Sequence, residues 1–278
     1  MTRKRTSDAD AHAPAAATPV RVTLVCMDTH LMSATARARL ALVRQVPGLE
    51  FSMHAAAEFA GDAAAIARCR DDIAQADIVI VAMLFLEDHF LPVIDALRAR
   101  RSQCDAMLCM VSASEVVKLT KLGAFDMDKP ASGPLALLKR LRGNKDKPST
   151  GGASQMKMLR RIPQFLRFIP GTAQDVRAYF LSMQYWLGGS QDNMQHLLRF
   201  LIDRYADGPR RALRGTLKAD APIDYPEVGV YHPRLRSRLS DRESALPPPA
   251  GQPARGTVGL LVLRSYLLAG NSGHYDGV

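Results

Sequence analysis

A chain of 278 residues is long enough for one large domain or two ordinary ones, and an apolar fraction of 47% can build a core. The formal charge of +10 admits nucleic acid, an anionic surface or an acidic partner, yet no stacking-aromatic pattern or reader motif accompanies it, so no nucleic-acid partner is expected. No apolar run reaches the ~20 residues of a transmembrane helix, and Cys26, Cys69, Cys104 and Cys109 form no C-x-x-C, which predicts buried free thiols in a reducing compartment rather than disulfides or a zinc site.

Residues 1–18 read as a disordered tail without the apolar core of a secretory signal, and a cytoplasmic location is expected. "VRVTLVCMD" is then a strand, followed by a helix over "LMSATARARLALVRQV" that stops at Pro47-Gly48. "LEFSMHAAAEF" gives a second strand and "AAAIARCRDDIAQA" a second helix. "DIVIVAMLF" is almost wholly apolar, as a parallel strand buried on both faces must be. "EDHFLPVIDALRARR" is a third helix with Pro92 in its first turn, "DAMLCMVS" a fourth strand, and Ser114 caps a fourth helix over "EVVKLTKLGAF". This alternation predicts a doubly wound, flavodoxin-like α/β domain over residues 19–125.

Residues 126–153 are rich in Pro, Gly, Ser and Lys and read as a linker. Residues 154–209 form a helical segment. It opens with a short basic amphipathic stretch whose apolar stripe is Leu159, Ile162, Leu166 and Ile169, better suited to packing within a larger protein than to a membrane surface. Two clear helices follow. In the first, Thr172 and Asp175 make a capping-box-like pair, and Val176, Tyr179, Phe180, Met183, Trp186 and Leu187 share a face. In the second, Ser190 is the N-cap and Met194, Leu197, Leu198, Leu201, Ile202 and Tyr205 keep the same spacing. They predict an αα-hairpin, with Gly188 as the left-handed stop between them. Residues 210–256 are an irregular proline-rich connection. "TVGLLVLRS" reads as a strand, so residues 257–278 are the expected start of a truncated further α/β domain and the chain a fragment.

No P-loop and no G-x-G-x-x-G after a strand occur, so nucleotide binding by this chain is not expected. "GNSGHYDG" could turn its amides toward an anion or be a plain βα turn. Strand ends are where a doubly wound fold holds its ligands, and there the sequence offers Asp28 and His30 in "MDTH" and Glu87, Asp88 and His89 in "FLEDHF". Such groups could hold a metal or carry protons, but acidic residues also simply favour a helix N-terminus. His232 in "YHP" and His274 in "GHYDG" complete the candidate ligand-contacting set of His30, Glu87, His89, His232 and His274; no catalytic residue and no metal ligand set emerges.

Four stretches together resemble the large H subunit family of magnesium chelatase: "SEVVKLTKLGAF", "LRRIPQFLRFIPGTAQDVRAYFLSMQYWLGGSQDN", "GVYHP" and "GLLVLRSYLLAGNSGHYDGV". The resemblance implies the amino-terminal part of a longer porphyrin-binding subunit. It implies protoporphyrin IX and Mg²⁺ as substrates, and as partners an AAA+ ATPase subunit, which binds the ATP, and a second small subunit. It implies an ATP-dependent metal-inserting ligase of (bacterio)chlorophyll synthesis, of which this stretch alone would not be catalytic. A stand-alone tetrapyrrole-binding or regulatory module and the cobaltochelatase large subunit are the alternative readings.

Overall fold

The computed structural model describes residues 19–27, 29, 31–129, 161–235, 238–248 and 258–276. The expected tail, most of the expected linker, Asp28, His30 and Leu159 lie outside the described residues.

A six-stranded sheet organises the chain, in the order β2-β1-β3-β4-β5-β6. Its first four strands are β1 (Val20–Cys26), β2 (Leu49–Ala55), β3 (Ile78–Ala82) and β4 (Ala106–Met110), all parallel. They are joined by the helices α1 (Met32–Val43), α2 (Ala63–Gln75) and α3 (Glu87–Arg100). The expected α/β class holds. Every residue of β3 and of β4 is buried, because helices cover both faces of the sheet.

Two details depart from the sequence expectation. Pro92 is the sixth residue of α3, in its second turn rather than its first. The fourth helix is a single turn, α4 (Ser114–Val117), with Ala113 rather than Ser114 as its N-cap. The chain then makes two short antiparallel strands, β5 (Lys121–Leu122) and β6 (Phe125–Asp126), at the sheet edge. The buried Thr120 hydroxyl ends the helix: Oγ1 accepts from Cys109 N–H at 3.1 Å and donates to Cys109 C=O at 2.8 Å. That pairing draws Leu122 and Phe125 into the core, both almost fully buried.

Alternation along the strands divides the core in two. One set of side chains, including Val79, Val81, Met107 and Cys109, packs against α2 and α3. The other, including Leu24, Ile80, Leu108 and Met110, meets α1 and the helical hairpin. The hairpin consists of α5 (Thr172–Gly188) and α6 (Gln191–Tyr205). All six apolar residues expected to face inward on α6 are buried. On α5, burial runs around most of the helix: Ala173, Ala178, Ser182 and Tyr185 join Val176, Tyr179 and Trp186, while Phe180 and Met183 are only partly buried. Before α5, residues 161–166 are helical, and Ile162 and Leu166 enter this same core.

The expected Thr172/Asp175 cap is not formed; Gly171 is the N-cap of α5, without a side-chain bond. Asp175 is used at long range instead. Its Oδ2 accepts from Ala124 N–H at 3.0 Å, and its Oδ1 from Arg204 Nη2 at 2.9 Å and the Tyr205 hydroxyl at 3.1 Å. One carboxylate thus ties the β5–β6 turn to both hairpin helices.

A second tie lies at the N-terminal edge of the sheet. Asp77 and Asp105 precede β3 and β4, and Arg210 lies just after α6. Arg210 Nη2 is 3.1 Å from Asp77 Oδ1, and its Nε is 3.2 Å from Asp105 Oδ2. Asp77 also accepts from Arg21 N–H at 2.8 Å, and Asp105 from Asp207 N–H at 2.8 Å.

The corner between α5 and α6 inverts the expected glycine roles. Gly188 is the last residue of α5, and Gly189 is the left-handed cap at φ 60°. Gly188 is required by proximity: a Cβ there would lie 2.1 Å from Asn193 Nδ2. Ser190 caps α6 as expected, accepting from Asn193 N–H at 3.2 Å. The fully buried Asn193 amide then pairs with Ile223 as a strand neighbour would. Its Nδ2 donates to Ile223 C=O at 2.9 Å, and its Oδ1 accepts from Ile223 N–H at 2.8 Å. Nearby, His196 Nδ1 accepts from Asp220 N–H at 3.1 Å, and the Tyr185 hydroxyl donates to Asp220 C=O.

Beyond the hairpin, β7 (Val230–Tyr231) and β8 (Leu239–Ser240) form a small antiparallel pair. Two short helices follow, α7 (Arg264–Leu268) and α8 (Gly273–Asp276). The strand expected over "TVGLLVLRS" is not formed. Residues 258–263 have no ladder partner among the described residues, and a strand exists only by pairing.

Three outcomes follow from these contacts. Arg210→Met leaves buried Asp105 without its ion-pair partner and Asp77 with Arg100 at 4.0 Å, and is expected to cost about 3–5 kcal/mol in urea unfolding; Arg210→Lys, which keeps the charge but loses the fork, falls between. Gly188→Ala drives a methyl into Asn193 and is expected to cost roughly 1–3 kcal/mol by the same measurement. Burial holds the His196 pKa below its usual value, against the pull of Asp220. A depressed histidine binds fewer protons folded than unfolded, so stability is complete above about pH 6.5. It declines as pH falls from there through the folded pKa. Unfolding midpoints measured from pH 7.5 to 5 should show this slope, and His196→Gln should flatten it.

Candidate functional site

Two places on the chain have the shape of a site. The first is the C-terminal edge of the parallel strands. Chain order reverses between β1 and β3, the switch point beside which folds of this kind hold their ligands. Glu87 and Asp88 occupy the first turn of α3 there, exposed, where the helix dipole favours a carboxylate. His89 is half-buried on the same turn, and its Nδ1 is buried without a hydrogen-bond partner among the described residues. Two residues that no sequence pattern singles out shape this edge. Met83 and Val111 follow β3 and β4 with φ of 64° and 49°, the left-handed region that a β-branched residue avoids. Met83 N–H donates to Val111 C=O at 2.9 Å, and the Ser112 hydroxyl accepts from Leu84 N–H at 3.1 Å. The pairing of β3 with β4 therefore continues through a double bend, and Phe85 and Leu86 emerge from it exposed.

The second place is a cavity of about 480 Å³ beside the hairpin corner. Arg37 from α1, Ser190 and Asp192 from the start of α6, Tyr225 and Arg238 line it. Arg37 is a clamp: Nε donates to Gln191 Oε1 at 3.0 Å, and Nη2 donates to Ala269 C=O. Ser33, one turn earlier on α1, donates to Asn271 Oδ1 at 2.7 Å. Of the backbone amides of "GNSGHYDG", those of Gly270 and Asn271 donate to Leu267 and Tyr266 C=O and those of Tyr275 and Asp276 to Ser272 C=O, as the plain-turn reading has it. Ser272 receives Arg238 Nη1 at 2.9 Å and donates to Asp276 Oδ2 at 3.0 Å, and the Tyr231 hydroxyl also donates to Asp276. The walls are polar and carry both signs of charge, unlike the predominantly apolar lining of a pocket that encloses a flat organic ligand.

The remaining sequence candidates lie apart from the α3 turn. His232 closes the turn between β7 and β8, its N–H donating to Arg238 C=O and its Nδ1 accepting from Arg234 N–H, both at 3.1 Å. His274 is exposed on α8. His30 lies outside the described residues. Among the described residues no three His, Cys, Asp or Glu side chains gather where they could hold a metal ion. None of the four cysteines is in a disulfide, and Cys26, Cys69 and Cys109 are buried. Burial pushes the Cys69 thiol up to about 12, the Cys104 thiol up to about 11 and the Cys109 thiol higher still, so all three are protonated at neutral pH and poor nucleophiles. No helix among the described residues is long and apolar enough to cross a membrane.

Comparison with known proteins locates this architecture. The family described as "Domain of unknown function (DUF3479)" matches residues 21–180, and the one described as "CobN/Magnesium Chelatase" matches residues 183–278. The chain is 49% identical over 265 residues to the magnesium-chelatase H subunit of Cereibacter sphaeroides, covering 95% of this chain and 22% of that protein. It is 48% identical over 258 residues to the protein of the same name from Rhodobacter capsulatus, covering 92% and 21%. With the chloroplastic magnesium-chelatase ChlH subunit of Oryza sativa subsp. indica it shares 33% over 220 residues, covering 74% and 15%. It spans about a fifth of the length of the two bacterial relatives. The two family matches together run through the sheet, the hairpin and the segment beyond, and the chain belongs to the magnesium-chelatase H-subunit family.

Proposed function

We propose that this chain is the framework part of the porphyrin-binding H subunit of a magnesium chelatase. The whole subunit would insert Mg²⁺ into protoporphyrin IX in the cytoplasm, in (bacterio)chlorophyll synthesis, while an AAA+ partner subunit binds and hydrolyses ATP and a second small subunit completes the assembly. The observation that carries the reading is the 49% identity extending over 95% of the chain. Mg²⁺ releases its water reluctantly, which accounts for coupling its insertion to ATP.

Within that subunit the chain supplies shape more than chemistry. The reading is supported by the polar cavity, by the protonated thiols and by the use of buried polar groups as ties between elements. Metal insertion then belongs to the part of the subunit that this chain does not cover. The sheet edge around Glu87 and His89 remains a proposed contact surface for that part or for substrate, with Trp186, buried in the hairpin, acting on it only through packing.

The test replaces the matching region of the Cereibacter sphaeroides subunit by this chain. Combined with the ATPase and small subunits, the chimera is expected to insert Mg²⁺ into protoporphyrin IX, followed by porphyrin fluorescence. The chain alone is expected to show no saturable quenching of protoporphyrin IX at micromolar concentration. A folded but inactive chimera would sink the proposal. Tight binding by the chain alone, without the ATPase subunits, would favour a stand-alone carrier.

A further inference from the structure

Residues 258–263, "VGLLVL", run into α7 with their side chains in solvent. Val258 is 95% exposed, Leu260 58%, Leu261 100% and Leu263 65%. Val262 alone is anchored, half-buried against the small core of Tyr225, Leu239, Leu267 and Leu268. Leu263 has the extended backbone of a strand, at φ −77° and ψ 120°. No backbone hydrogen bond joins residues 258–262 to another described residue.

An extended segment alternates its side chains between two faces. Here Val258, Leu260 and Val262 fall on one face and Leu261 and Leu263 on the other, so both faces are apolar. That pattern belongs to a strand covered on both sides within a parallel sheet, not to an edge with one wet face. The chain order supports the same assignment, because a helix, α7, comes next along the chain, as α1 comes next after β1.

We infer that residues 258–263 form an internal parallel strand of a second sheet, whose neighbouring strands come from the part of the H-subunit polypeptide that this chain does not cover. The two bacterial relatives are longer than the stretch matched here by a factor of more than four, at 22% and 21% coverage, which supplies the polypeptide for that sheet. A second copy of this chain is the poorer occupant, since two copies at a formal charge of +10 each repel. The partner is recognised by main-chain pairing along the strand, with apolar side chains closing over both faces. The inference rests on family membership and not on porphyrin binding.

Hydrogen exchange read by mass spectrometry tests it on two molecules, the chain alone and the chimera with the Cereibacter sphaeroides subunit. The amides of 258–263 are expected to exchange freely in the chain alone and about 100-fold or more slower in the chimera. The amides of β3 should be protected equally in both, which shows that the first sheet is folded in each. Leu261→Pro in the chimera should return the segment to fast exchange with β3 still protected. Equal exchange of 258–263 in both molecules would overturn the inference, as would an unchanged rate in the proline variant. Protection in the chain alone that rises with concentration, with a dimer in sedimentation, would assign the strand to a second copy and also overturn it. Porphyrin fluorescence on the same chimera reads the proposed function separately.

Discussion

Arg210 reaches from the segment after the hairpin to two carboxylates at the starts of β3 and β4, and the position of the hairpin depends on it. Its side chain is 16% exposed, those of Asp77 and Asp105 7% and 10%. Three charges so shielded from water are costly to desolvate, and the cost is offset only when each remaining lone pair finds a donor. Here the backbone supplies them, from Arg21 on one side and Asp207 on the other. The network adds little to stability over an apolar substitute of the same shape. It specifies one seating, because a displaced hairpin would strand buried Asp105 and leave Asp77 to Arg100, 4.0 Å away.

The seating matters because of a shortage of helices. Four parallel strands with three connecting helices leave α1 alone on one face and put α2 and α3 on the other. One helix of 12 residues cannot cover Leu24, Ile80, Leu108 and Met110 together. The hairpin completes that layer, α6 lying against α1 and α5 against β5 and β6. For this reason α5 is enclosed around most of its circumference and cannot present an aromatic stripe to a ligand. Asp175 fixes the same open end of the hairpin from the start of α5, since Ala124, Arg204 and Tyr205 all converge on it. Two carboxylate clusters thus hold the open end of the hairpin, while Arg37 on Gln191 and Asn193 on Ile223 hold its corner.

What was legible in the sequence was what periodicity and local caps determine. The apolar run at Asp77–Phe85 announced a buried strand, and six apolar positions on α6 announced the face that packs. Ser190 read correctly as a cap because its bond spans three residues. What escaped were bonds made across the chain. Asp175 has the spacing of a capping box, yet three distant donors outcompete the helix N-terminus for it. "EVVKLTKLGAF" has helical residues, but Thr120 finds Cys109 on a neighbouring strand and turns the chain into a hairpin. The bends at Met83 and Val111 carry no sequence signal at all, because neither residue favours a positive φ. The candidate site was the least legible part. Glu87 and His89 do share a turn at the sheet edge, whereas His232 and His274 lie on other elements.

The stretch "YWLGGSQDN" shows why a sequence can identify its family without revealing its chemistry. Tyr185 and Trp186 fill the core, and Gly188 yields space to Asn193. Gly189 takes the left-handed turn, Ser190 caps α6, and Asn193 holds the 220s loop by both ends of its amide. Nearly every position is fixed by a packing or hydrogen-bonding demand that few other residues meet. Such a corner is specific because of folding: Ser190, Gln191 and Asn193 are held within the fold, and of its polar side chains Asp192 is the one exposed, in the wall of the cavity. Membership in the H-subunit family therefore transfers architecture securely. The chemistry of metal insertion has to be sought where polar groups are not already spent on holding the fold.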